Sequence, residues 1–174
     1  MFEMQEIRRI YESMANGGFL TDGGVPKTFF MGETMESFRR NGGRPQTSFE
    51  SGIGIFLSDS EDVAGQFVFP REYGELVTEY YDEKADDYVP IEPGPVHRFN
   101  IRCRNPYVIE GRDAQRFIDD TAYQSSLLRT AFADHDCVLA VDVREGVEER
   151  FPCDVAVVRD ASNLVPLVKM LGGR

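Results

Sequence analysis

Few side chains in this sequence could do metal or nucleophilic chemistry. Two histidines, His97 and His135, and three cysteines, Cys103, Cys137 and Cys153, are scattered over its second half. They include one close pair, His135-x-Cys137, but no CxxC and no HxxxH. A zinc site shows tighter paired spacing, so no metal centre is expected. A Cys–His nucleophile pair can be assembled from the counts, yet neither residue sits in a local signature for one. Glu148 and Glu149 are neighbouring carboxylates that could serve acid–base chemistry. On a charged hairpin such residues are more often solvated. There is no P-loop, and no GxGxxG opens a helix. The stretch with the most definite shape is Gly52 to Phe67, GIGIFLSDSEDVAGQF.

That stretch reads as a short buried strand, a polar break and the first turns of a helix. Ile53, Ile55 and Leu57 alternate with Gly54 and Phe56, and a strand carrying two glycines marks close approach of another backbone or a ligand. Ser58 and Glu61 form an S-x-x-E capping box, and Val63, Ala64 and Phe67 follow at helical spacing.

The other elements are arranged around this unit. Ile7, Ile10, Tyr11 and Met14 predict an amphipathic helix over Glu3 to Ala15, closed by Asn16, Gly17 and Gly18. Thr28 to Met31 is the first expected core strand. Met35 and Phe38 give one or two helical turns before a loop over Arg44 to Glu50. Glu72 to Tyr88 holds seven acidic residues, one lysine and four tyrosines in seventeen positions. It is expected to be a mobile or partly helical surface excursion within an acidic, Tyr-rich insertion over 70–95, suited to contact with a partner. Strands are expected at His97 to Cys103, Tyr107 to Ile109, Val138 to Val143 and Val155 to Val158. One long helix is expected over Asp113 to Ala133, a charged hairpin over Glu145 to Pro152, and an apolar segment over Leu164 to Leu171. The order is α+β rather than alternating βαβ.

A chain of 174 residues with 41% hydrophobic and 28% charged positions is expected to be one domain with a real core. No apolar run reaches the roughly 18 residues of a membrane span. No signal peptide is evident, and the odd cysteine count fits a reducing compartment, so the expected location is cytoplasmic, or a host cytoplasm reached without a classical signal peptide. A net charge of −11 disfavours nucleic acid and anionic membranes as partners and permits a basic protein.

The order of these segments resembles the ADP-ribosyltransferase superfamily, in particular small bacterial and phage-type members of its diphtheria-toxin-like, His-Tyr-Glu branch. The residues that carry the resemblance begin with Phe29-Phe30-Met31-Gly32-Glu33-Thr34 and the run Gly52 to Ala64. Asn105 to Ile109, Asp136-Cys137-Val138 and Val157 to Leu164 follow. The resemblance implies a split, strongly curved sheet with an NAD cleft between its halves, and residues 1–26 as a helical extension. It implies a mono-ADP-ribosyltransferase that consumes NAD and modifies a protein or nucleic-acid target, as a bacterial or phage effector does. Met31 stands where the branch has its ribose-binding His, and Gly32 keeps the backbone clamp on the nicotinamide amide. Phe56 replaces the stacking Tyr, and Asp154 is the carboxylate nearest the catalytic Glu position. Thr34, Gly54 and Phe67 complete the implied NAD contacts, and Arg98 and Arg102 are candidates for its pyrophosphate. Because the His and Glu positions depart from the pattern, a catalytically silent binding module acting through the acidic Tyr-rich segment is the alternative. An unrelated α+β domain with the same motif order is a third reading.

Overall fold

A computed structural model describes residues 18–22, 25–46 and 53–167. In chain order its strands are β1 (Thr21–Asp22), β2 (Val25–Pro26), β3 (Thr28–Gly32), β4 (Ile55–Ser58), β5 (Arg71–Glu72), β6 (Glu75–Leu76), β7 (Glu79–Asp82), β8 (Asp87–Pro90), β9 (Val96–Ile101), β10 (Pro106–Ile109), β11 (Cys137–Glu145), β12 (Phe151–Val158) and β13 (Leu164–Pro166). Its helices are α1 (Met35–Arg40), α2 (Glu61–Gln66), α3 (Gly111–Asp119) and α4 (Thr121–Ala131). Seven strands form one mixed sheet in the order β10-β11-β12-β4-β3-β9-β13, and the other six pair off as two-stranded ribbons. Only β10 and β11 run parallel within the seven. The architecture is α+β.

The centre of the sheet is the β11–β12 hairpin. Cys137 to Ala140 and Val155 to Val158 are buried without interruption, the pattern of strands covered on both faces. One face packs Ile55, Leu57, Phe99, Ile101, Leu139, Ala156 and Val158 around Phe29 and Met31. The other packs Val138, Ala140, Val143, Val155 and Val157 against Val63, Phe117 and Leu128 of the helices. The parallel β10–β11 pair is aligned by Asp136, whose carboxylate accepts from the N–H groups of Arg104 and Asn105 at 2.9 and 3.0 Å.

The sheet opens between β3 and β4. That ladder holds a single residue pair, Phe30 with Ser58, whereas β3 pairs five residues with β9 and β12 pairs four with β4. Two devices hold the opening. On one face, α2 lies against β3 so closely that a Cβ on Gly32 would stand 1.9 Å from the Ala64 carbonyl oxygen, which only glycine allows. On the other, Lys27 Nζ reaches across to Asp59 at 2.8 Å and Asp154 at 3.1 Å.

Several elements differ from expectation. The cap of α2 is Ser60, which accepts from the Val63 N–H at 3.3 Å; Ser58 Oγ instead accepts from the Ser60 N–H. The expected long helix is two. Asp120 is extended between them and caps α4 by accepting from the Tyr123 N–H at 2.9 Å, a local bond that competes with helix continuation. The acidic Tyr-rich segment is stranded, not helical: β5–β6 and β7–β8 are hairpins, with Tyr81 edge-on to Tyr88 across the second. Tyr and Val favour strands, and Asp82 Oδ1 accepts from the Lys84 N–H at 2.8 Å to make the turn. The expected helical extension does not reach residue 26. Leu20 is 2% exposed in the core, its N–H donates to the Ile101 carbonyl, and residues 21–26 form a ribbon where described. The predicted N-terminal helix lies outside the described residues, as do Gly52, the end of the expected loop over Arg44 to Glu50 and the end of the last apolar segment. Among the described residues, no helix is long and apolar enough to cross a membrane.

Candidate functional site

A cavity of about 270 Å³ occupies the opening between β3 and β4, on the face covered by α2. Phe30 and Gly32 of β3, Phe56 of β4 and Val155 of β12 wall it from the sheet side. Val63, Ala64 and Phe67 close it from α2, and Ile118 and Gln124 from the α3–α4 pair. Two charged groups enter this apolar space: Arg71, whose guanidinium lies 4.6 Å from the Phe67 ring centroid, and Glu145 at the end of β11. A mostly apolar pocket with a few convergent polar groups is the usual form of a small-molecule site.

A β-bulge aims Glu145 at this cavity. On β11, Val138 and Ala140 face the cleft side, paired toward Val157 and Val155. The register then slips, so that three steps from Ala140 to Val143 match two from Val155 to Cys153. Asp142 takes up the extra residue with φ +54°, a left-handed conformation unusual outside glycine. Val143 and Glu145 thereby regain the cleft face; in an unbroken strand they would point to the opposite one. The strand end is pinned from two helices. The Gln115 side chain of α3 bonds both backbone groups of Arg144, at 2.9 and 3.1 Å. Gln66, the last residue of α2, accepts from the N–H groups of Val147 and Glu148 and donates to the Glu149 carbonyl.

Burial pushes the Glu145 carboxyl above its ordinary range, against the opposing pull of the Arg150 charge, the Gly146 N–H and the Arg71 charge. Among the described residues, no ion pair within 4 Å relieves it. A carboxylate in that condition attracts positive charge developing beside it.

The sequence-derived candidates divide. Phe56, Phe67, Gly32 and Met31 border the cavity. The Met31 side chain, however, is 4% exposed and packed in the cluster on the far face with Phe29 and Leu57, so it offers a ribose nothing. Thr34 caps α1 by accepting from the Ser37 N–H at 3.2 Å. Gly54, at φ +87°, is glycine because a Cβ would meet Val157 at 2.8 Å and the Val158 carbonyl oxygen at 2.9 Å. Both lie outside the cavity lining. Asp154 lies outside it too, on the opposite face of β12 from Val155, bound to Lys27 and to the Asp142 N–H at 2.9 Å. Arg98 pairs with Glu61 at 2.9 Å and Arg102 lies over Phe19, so neither lines the cavity. Sequence reading missed Glu145, Arg71, Gln124 and the Lys27 bridge. Glu145 was legible only as the start of a charged hairpin, because a bulge leaves no mark in a strand pattern.

The sulfur and imidazole groups are committed elsewhere. All three cysteines are buried and free. Hydrogen bonding to Cys137 and burial push the Cys103 thiol well up, and burial pushes Cys153 to about 11, which disfavours a thiolate nucleophile. His135 bonds the Asn105 carbonyl, and His97 lies 3.5 Å from Glu33 on the face away from the cavity. Among the described residues, no three His, Cys, Asp or Glu side chains are grouped to hold a metal ion.

Comparison with known protein families, with curated proteins and with solved structures finds no match for this chain.

Proposed function

We propose that the cleft between β3 and β4 binds the nicotinamide–ribose end of NAD, and that the protein is an NAD-dependent mono-ADP-ribosyltransferase of the diphtheria-toxin-like type. The observation that carries this reading is the Glu145 carboxylate, half-buried with no ion pair among the described residues, in the same apolar cavity as Phe56, where the sheet opens. At about 270 Å³ the cavity is just below the roughly 300–1,000 Å³ of pockets that hold whole drug-sized ligands, so it suits part of a dinucleotide. Phe56 offers a stacking face to nicotinamide. Arg71, at the edge of the acidic ribbons, offers a cation to the pyrophosphate.

In the transfer, the bond from ribose C1′ to the nicotinamide nitrogen breaks and its electron pair leaves with nicotinamide. Glu145 faces the positive charge that builds on the ribose. A lone pair of the acceptor then forms the new bond to C1′, and the acceptor's proton is lost to Glu145 or water. The exposed Tyr80, Tyr81 and Tyr88, set among carboxylates, favour a protein acceptor over nucleic acid. A bacterial or phage effector is the setting that fits the resemblance. The alternative of a silent binding module is favoured by one observation, the Met31 side chain turned into the core.

Incubation with labelled NAD and a bacterial lysate tests the proposal. Label transfer to protein that is lost in Glu145→Gln supports it. Absence of both transfer and any NAD-induced thermal shift contradicts it.

A further inference from the structure

We infer that Asp154 is a positioning residue for Glu145: by holding the Asp142 N–H it fixes the bulge that turns Glu145 into the cleft. The two carboxylates lie on opposite faces of the sheet, so Asp154 acts through the backbone of β11 and not on a ligand.

Three observations join here. Asp154 Oδ1 accepts from the N–H of Asp142 at 2.9 Å, and Asp142 is the residue with φ +54° at the register slip. The other oxygen of the Asp154 carboxylate, Oδ2, is held by Lys27 at 3.1 Å, so the group is oriented with Oδ1 toward the bulge. Its backbone is tied as well: the Asp154 N–H donates to Asp59 Oδ1 at 2.7 Å, and the Asp154 carbonyl accepts from the Asp59 N–H at 3.1 Å. A positive φ costs an aspartate some free energy, and an acceptor placed for its N–H helps to hold it there. If the bulge relaxes, the side-chain alternation beyond it reverts, and Glu145 leaves the cleft face. The charge of Asp154 is not what the bulge needs; an acceptor oxygen is.

This inference concerns where Glu145 stands, and it rests on the transferase reading only for its activity arm. The test is the titration of the Glu145 side-chain carboxyl, followed by carbon-detected NMR, with label transfer from NAD measured beside it. In Asp154→Ala the Glu145 titration is expected to fall back toward the ordinary glutamate value, with transfer lower by about 10²-fold, the scale of a 1 Å misplacement. Asp154→Asn keeps an acceptor oxygen and is expected to retain both the raised titration and most of the transfer. Asp142→Gly placed on Asp154→Ala should restore both, because glycine holds a positive φ without help. A loss of stability alone would lower Tm without moving the Glu145 titration. An unchanged Glu145 titration in folded Asp154→Ala overturns the inference. Should that variant not fold, a Glu145 titration that returns to ordinary in folded Asp154→Asn overturns it equally. If the wild-type protein transfers no label, the titration arm still decides this inference while the transferase reading fails.

Discussion

Asp154 and Glu145 belong to the two strands of one hairpin and face opposite sides of one sheet. Asp154 meets Lys27 and the Asp142 N–H, and Lys27 also meets Asp59, so both carboxylates share one hydrogen-bonded cation. Glu145 lines a cavity together with Phe67, Ile118 and Val155, and the Arg150 charge, the Gly146 N–H and the Arg71 charge only partly oppose its burial. The Lys27 pKa is raised, since the bonds and charges of Asp59 and Asp154 outweigh the desolvation that would lower it. The Glu145 pKa is raised too, by burial. The direction is the same and the consequence for stability is opposite. The fold prefers the charged form of Lys27 and resists the charged form of Glu145. A carboxylate with a bonded cation is a clamp; a carboxylate without one in an apolar cleft is the feature on which the proposed NAD site rests.

The comparison breaks most sharply on activity. Glu145→Gln should lower label transfer about 10²–10³-fold, the range seen when a preorganised electrostatic partner is removed. Asp154→Asn should leave transfer within a few-fold. The reverse order would move the site to the clamp face.

The next largest effect is expected at the opening itself. Gly32→Ala places a methyl group against the Ala64 carbonyl oxygen, and backbone cannot yield as a side-chain tip can. Urea unfolding should show a loss of about 3 kcal/mol, the upper end for overpacking. Lys27→Met follows. It leaves Asp59 and Asp154 without their cation, and should cost about 2 kcal/mol, less than a fully buried pair because the groups are partly exposed. In the wild type the Lys27 contribution is present below 10.5, the ordinary lysine value, and is lost as pH rises through the higher folded value.

The smallest effect sharpens the contrast from the other side. The unfolded Glu145 ionises near its ordinary 4.5 and the folded one only at higher pH, so its penalty is absent below 4.5 and complete above the folded value. Glu145→Gln should therefore raise Tm at pH 8 by about 1–3 °C and leave it unchanged at pH 4. Thermal melts of the two proteins at the two pH values check this.

Much of the fold was legible because its signals are local. The apolar runs at Val138 to Val143 and Val155 to Val158, the N-P turn at Asn105 and the strand–helix unit ending at Phe67 all stand where their patterns put them. The placing of Phe56 and Gly32 beside one opening was legible for the same reason. The misreadings come from competition that sequence alone leaves undecided. Asp120 can continue a helix or cap the next one, and Ser58 and Ser60 can each cap α2. That Glu145 and not Asp154 faces the cleft was not legible, because the face a strand residue occupies depends on its register. One extra residue at Asp142 inverts the parity for everything after it.

The most direct test of the central claim is a crystal structure with NAD bound. The account predicts nicotinamide stacked on Phe56 with its ribose beside Glu145, and Lys27, Asp59 and Asp154 still joined on the far face. Ligand density seated on Asp154, or NAD bound away from the β3–β4 opening, would contradict it.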